Sequence, residues 1–470
     1  LTSRPTIDGR TCRQTDRKTD EWTNRQVMAG GTSIFIFVLC CLCASNVVRC
    51  AECDQRKCRL QDNCLCADNR PPGNLHVTDM PQFVMVSFDD AVNEQNIDFY
   101  RELLAPGRRR NLANGCNIAA TFFVSAGYTD YSFVHEMHNA GNEIALHSIT
   151  HLNNLTYWRT MDVAGWEAEL LGVRKLLKDY ALVPERDMVG ARAPFLEIGH
   201  GSAYNMMRKH GLLYDSSIIA KLDYLPLYPY TLDFGLQDIC GNIFCPSGTY
   251  KGLWMVPLNM FVREAPNNDG SDAESSCVMP DTCQPKPSTE SEMFDFLRSN
   301  FDRYYKTNRA PFPLFIHENW LWDPERRKGF LSFVDWLLTK KDVFLVTVEE
   351  VVQFMRNPKP LDKYTQKKCS KATKFQRCPR IYSCQFPESP IEETKELVGC
   401  KPCPKKYPWI EDATVQFQGN RAGSTTPSNQ PYHEVVIVLF FSSLVFCTCV
   451  AVRLSTRLFQ GARGKAKHML

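Results

Sequence analysis

"FVMVSFDD", residues 83–90, is a mostly apolar run that closes on two adjacent carboxylates. A short run of this kind suits a strand buried on both faces, as in the middle of a parallel sheet. Asp89 and Asp90 then stand at its carboxyl end. Neighbouring side chains on extended chain point to different sides, so one carboxylate can hold a cation while the other moves a proton. A solvated acidic turn is the plainer alternative for an isolated Asp pair, and the surrounding sequence decides between the two.

Outward from this run, similar apolar stretches recur at 118–124 (IAATFFV), 142–146 (NEIAL), 313–317 (PLFIH) and 343–348 (VFLVTV). Between them lie helical patterns: YSFVHEMHNAG closing on Gly141, VAGWEAELLGVRKLLKDY, and SAYNMMRKHG closing on Gly211. Alternation of strand and helix from about residue 81 to residue 356 predicts an α/β fold, a parallel sheet or barrel. Such folds carry their chemistry at the carboxyl ends of the strands.

"EIALHSITH" (143–151) places His147 and His151 four apart behind an apolar run. On a helical turn that spacing puts both imidazoles on one face. With Asp90 they make a two-histidine, one-carboxylate set that leaves coordination positions open, the pattern of a catalytic rather than a structural zinc site. His317 ends the "PLFI" run, and a lone histidine there is more often structural than catalytic. His135 and His138 read as surface residues of a helix.

"SFDD" (87–90), "HSITH" (147–151), "RAPF" (192–195) and "FIHENW" (315–320) follow one another in an order that resembles the polysaccharide deacetylase family, carbohydrate esterase family 4, and in particular animal chitin deacetylases. The likeness covers roughly residues 50–355. It implies a distorted (β/α) barrel that removes acetyl groups from N-acetylglucosamine polymers such as chitin, with one zinc ion per catalytic domain. By the same resemblance Asp90, His147 and His151 are the metal ligands, Asp89 is the general base, Arg192 orients Asp89, and His317 is the general acid. The backbone N–H of Phe195, which stands where the family has tyrosine, faces the oxyanion; Ser87 stands where threonine is common. Trp254 and Trp320 are candidates to wall the sugar site, with core packing as the alternative for each. Asn154 opens the sequon Asn154-Leu155-Thr156.

Asp89, Asp90, His147, His151 and His317 are all present, which favours an enzyme. The alternatives are a catalytically inactive protein that binds chitin at the cell surface on the same fold, and a deacetylase of another polysaccharide.

Composition adds bounds. A chain of 470 residues, 44% hydrophobic and 23% charged, is ordinary globular material, and a net charge of +3 excludes a dedicated nucleic-acid partner. Residues 1–27 precede the first methionine and read as translated upstream sequence; 28–44 read as a signal peptide. A Cys-rich lead-in (45–80), the catalytic domain (81–356), a second Cys-rich segment (357–410) and a polar stalk (411–434) follow. Residues 435–452 are uncharged and long enough to cross a bilayer as a helix, and 453–470 form a basic tail. Together these predict a type I single-pass protein of the plasma membrane with its catalytic domain outside. Of the 21 cysteines, 15 fall outside the upstream, signal and membrane segments, which predicts disulfides with one cysteine left over. Cys400 and Cys403 form a C-x-x-C that reads as disulfide cysteines rather than a zinc site.

Overall fold

The structure is a computed structural model that describes residues 53–410 except 222–224, 237–238, 267–271 and 388–395. The upstream, signal, stalk, membrane and tail segments, and Cys50, lie outside the described residues. Among the described residues no helix is long and apolar enough to cross a membrane.

The run that opens the catalytic domain is the central strand β1 (Gln82–Asp90), buried throughout except at Asp90. It pairs in parallel with Phe312–Ile316, with Val343–Val346 and with β2 (Thr121–Ser125). Phe312–Ile316 overlaps both of the others along β1, so it takes one edge. Val343–Val346 and β2 share the other, low and high respectively. From β2 the sheet continues in parallel through β3 (Glu143–Ser148), β4 (Gly190–Ala191) and β5 (Tyr214–Asp215) to Trp254–Met255. Tyr230–Thr231 then pairs antiparallel at the end.

The expected α/β architecture is therefore present, but as a curled open sheet rather than a closed barrel. No pairing joins Tyr230–Thr231 to Phe312–Ile316 among the described residues. Closure needs a continuous hydrogen-bonded stagger. The stagger breaks between Phe312–Ile316 and Tyr230–Thr231, the latter running antiparallel to its neighbour.

The helical patterns form where expected. Tyr131–Asn139 stops before Gly141 (φ 102°) and Ser202–Lys209 before Gly211 (φ 69°), both left-handed positions that suit glycine. The stretch from Val163 to Tyr180 is helical but interrupted by a π segment at Glu167–Leu171.

All 14 cysteines among the described residues are paired, in seven disulfides. Cys53–Cys66 and Cys58–Cys64 staple the lead-in. It docks on the sheet end through Asn63, whose Oδ1 accepts from Trp254 Nε1 at 3.0 Å, and through Leu65, whose carbonyl accepts from Thr231 N at 2.9 Å. Cys116–Cys369 ties the second Cys-rich segment to the strand β2 region. Cys378–Cys400 and Cys384–Cys403 clamp a hairpin of Tyr382–Gln385 and Glu396–Gly399. The two cysteines of the C-x-x-C thus have separate partners and no thiolate to offer a metal.

Candidate active site

β1, β3 and β4 and the strand Phe312–Ile316 deliver the predicted residues to one end of the sheet. Asp90 Oδ1 lies 3.2 Å from His151 Nε2 and 3.6 Å from His147 Nε2, and the three donor atoms fall within 4.8 Å of one another. That oxygen is buried and has no hydrogen-bond partner. A buried carboxylate oxygen faced by two imidazole nitrogens is a donor set whose chemistry suits a cation. His147 Nδ1 donates to the Arg192 carbonyl at 2.7 Å, which turns its bare Nε2 toward Asp90. Burial lowers the His147 pKa to about 4, so the ring is neutral at pH 7, as a metal ligand must be. Two imidazoles and a carboxylate fit a divalent ion such as zinc.

The histidines do not meet as a helical pair. His147 is in β3, and the chain turns back through Ser148 (φ 143°) and His151 (φ 44°). Two side chains that sequence reasoning missed hold this turn. Ser148 Oγ accepts from His151 N at 3.1 Å. Glu169, fully buried on the π segment, accepts from the amides of Ile149 and Thr150 at 2.9 Å each and from the Tyr157 hydroxyl at 2.7 Å. A π turn at such a place is a recurrent mark of a functional site. Asp90 (φ 81°), Phe195 (φ 55°) and Leu196 (φ 57°) join Ser148 and His151 in the left-handed region. Strain of this kind persists only where surrounding structure enforces it.

Beside the triad, Arg192 is fully buried between the rings of Phe123 and Phe315, at 4.0 and 4.4 Å from their centroids. Its Nη1 donates to Asp89 Oδ1 at 2.5 Å and to Ser87 Oγ at 3.1 Å; Nε and Nη2 donate to the carbonyl and hydroxyl of Ser216. Burial opposes ionisation of Asp89, but Arg192, His147 and His317 outweigh it and hold the carboxyl below the usual range. Ser87, which stands where threonine is common, is part of the clamp.

His317 follows the strand Phe312–Ile316, and its side chain is 38% exposed rather than buried. Its Nδ1 donates to Asp281 Oδ2 at 2.6 Å, and its backbone N–H donates to the same oxygen at 3.0 Å. Burial works against the charged ring, yet Asp281, with Asp89 and Asp90, raises its pKa to about 9. Asp281 lies 36 residues upstream in a Cys-rich loop, and nothing in its local sequence marks it.

Among curated proteins the chain is similar to "Chitin deacetylase 1" of Bombyx mori, 37% identical over 378 residues, covering 78% of this chain and 69% of that one. The chain belongs to the chitin deacetylase family. It is also 34% identical to "Chitin deacetylase 8" of Bombyx mori over 362 residues, 76% of this chain and 92% of that one. No family model matches. Of solved structures, the catalytic domain of a peptidoglycan N-acetylglucosamine deacetylase from Eubacterium rectale aligns at a TM-score of 0.31 and 13% identity, over 57% of this chain and 90% of that one.

Two expectations for this chitin deacetylase relative need correction. Trp254 is fully buried and Trp320 is 3% exposed, so both are core residues and neither walls a sugar site. A long apolar strand or turn end draws an indole inward unless something holds it out. Two exposed aromatics near this end are Phe195 (45%), whose ring centroid lies 4.9 Å from that of His151, and Trp322 (58%), in the helical turn after His317. His135 and His138 are half-buried rather than on the surface: His135 Nδ1 pairs with the Ala181 carbonyl at 2.9 Å and His138 Nε2 with Asp187 Oδ2 at 3.3 Å. Asn154 is exposed and caps the helix Leu155–Thr160, with Oδ1 accepting from Tyr157 N.

Proposed function

We propose that this chain is a zinc-dependent hydrolase that removes N-acetyl groups from chitin or a closely related N-acetylglucosamine polymer and releases acetate. The observation that supports this most is the convergence of the partnerless Asp90 Oδ1 on His147 and His151, next to a carboxylate clamped by a buried arginine. Asp90, His147 and His151 would hold the ion. When bound, it supplies Lewis acidity to the acetyl carbonyl and the attacking water.

The chain's own groups supply the proton transfers. Asp89, ionised and fixed through Oδ1 by Arg192, takes a proton from the attacking water. The Phe195 N–H, set by its left-handed backbone, donates to the developing oxyanion. His317, protonated because Asp281 occupies Nδ1, delivers a proton to the leaving amine from Nε2. The seven disulfides favour an extracellular site of action. With the leader at 28–44 and the apolar run at 435–452 they support placement outside the plasma membrane on a single anchor, and a glycan at Asn154 fits the same compartment.

His151→Ala and His317→Ala separate the roles. The first is expected to lose bound zinc and turnover together. The second is expected to keep zinc while acetate release falls about 10²- to 10⁴-fold. Equal zinc loss in both variants would overturn the assignment.

A further inference from the structure

We propose that the Cys277–Cys283 disulfide positions the general acid of this enzyme, by presenting Asp281 to His317; this rests on the deacetylase reading above. His317 stands one residue past the end of its strand, where the chain alone does not fix its ring. A single oxygen does: Asp281 Oδ2 accepts both the ring Nδ1–H and the backbone N–H of His317. The aim of the imidazole is therefore set by a turn that belongs to another part of the chain.

That turn, Pro280–Thr282, is three residues long. Upstream, Cys277 is the last residue of the strand Asp272–Cys277 and pairs with Phe261. The Phe261 ring lies 5.4 Å from Phe312, at the start of the strand that leads to His317. Downstream, Cys283 is 1% exposed, and the next carbonyl, Gln284, accepts from Ser275 Oγ at 2.7 Å. The sulfur bridge joins the two sides across a separation of six residues and encloses Asp281. A loop so short restricts the unfolded chain far less than the 253-residue separation closed by Cys116–Cys369, so its main consequence lies in local geometry.

A second observation agrees. Asp281 Oδ1 is buried without a hydrogen-bond partner. The turn holds the carboxylate where one oxygen goes unsatisfied, a cost that relaxes as soon as the turn is free to move. Asp281, Asp89 and Asp90 are the carboxylates that act on His317, and of these Asp281 alone bonds its ring.

The test compares the zinc-loaded full chain with C277S/C283S and with D281N on two substrates. Chitin oligomers need a proton on the leaving amine; 4-nitrophenyl acetate expels a phenolate that needs none. We expect both variants to lose about ten- to a hundredfold in kcat on the amide, with KM and bound zinc unchanged and ester hydrolysis within about twofold. Independently of turnover, the low-field Nδ1–H proton resonance of His317 should be present in the parent and lost in both variants. Amide and ester rates that fall together with zinc content would overturn the proposal, because the disulfide would then merely hold the fold. Amide turnover and the resonance both kept in C277S/C283S would overturn it too. A parent without turnover on either substrate, but with the resonance lost in both variants, would sink the enzyme reading and leave the positioning role supported.

Discussion

Arg192→Met tests the electrostatic centre of the site. The guanidinium makes hydrogen bonds of 2.5 Å to Asp89, 3.1 Å to Ser87, and 2.8 and 3.0 Å to Ser216. Methionine keeps much of the stem between Phe123 and Phe315, so the lost volume is a minor part of the effect. The main cost is a buried Asp89 carboxylate, 6% exposed, left without its counter-charge. Breaking a buried pair from one side costs about 3–5 kcal/mol. The sign with pH follows from Asp89. In the parent its folded pKa lies below the usual value of about 4, so its contribution is present above that pH and lost as pH falls through the folded value. In Arg192→Met the largest opposition to burial is gone and the carboxyl pKa rises, so the variant escapes part of the cost by taking up a proton. The stability gap should therefore be widest near pH 7 and shrink as pH falls toward about 4. Urea unfolding at several pH values, with the slopes compared, measures it. Acetate release at pH 7 should fall about a hundredfold or more as the base becomes protonated. A gap equal at both ends of the pH range would refute the charge account.

The raised pKa of His317, about 9, predicts that kcat holds through neutral pH and declines as pH rises through about 9. Its contribution to stability is complete below the usual histidine value of about 6.5 and is lost over the same upper window, which a pH series of melting curves reads. Trp254→Ala should destabilise by about 3–5 kcal/mol in urea without a selective rise in KM. Trp322→Ala should leave the unfolding midpoint nearly unchanged and raise KM for oligomers several-fold, by removing an exposed face on which a sugar ring packs. Cys116→Ser with Cys369→Ser should cost about 5–6 kcal/mol, against about 2 kcal/mol for Cys58→Ser with Cys64→Ser, since the loops differ so much in length.

The parts of this account legible in the sequence are those in which chemistry sits at the end of an apolar run. FVMVSFDD and PLFIH are continuous strands, so the residues that close them, Asp89, Asp90 and His317, are delivered to one end of the sheet by topology alone. His147 was legible for the same reason. His151 was legible as a neighbour of His147 and Asp90 but not in its geometry, because a turn held by Ser148 and Glu169 replaces the helix that the four-residue spacing suggests. Glu169 and Asp281 were invisible because each acts across long chain separations through one carboxylate, with no periodicity to mark it. β4 and β5 were missed because two residues carry no pattern. The two tryptophans were misplaced because a sequence does not tell an indole that faces a cleft from one that faces the core. Cysteine number predicted disulfides, whereas their pairing depended on the fold.

The most direct measurement is acetate release from N-acetylglucosamine oligomers by the purified protein, as isolated, after treatment with a chelator, and after addition of zinc. The account predicts release that the chelator abolishes and zinc restores. Release that persists in protein shown to be free of metal, or none from folded protein that has bound zinc, would contradict it.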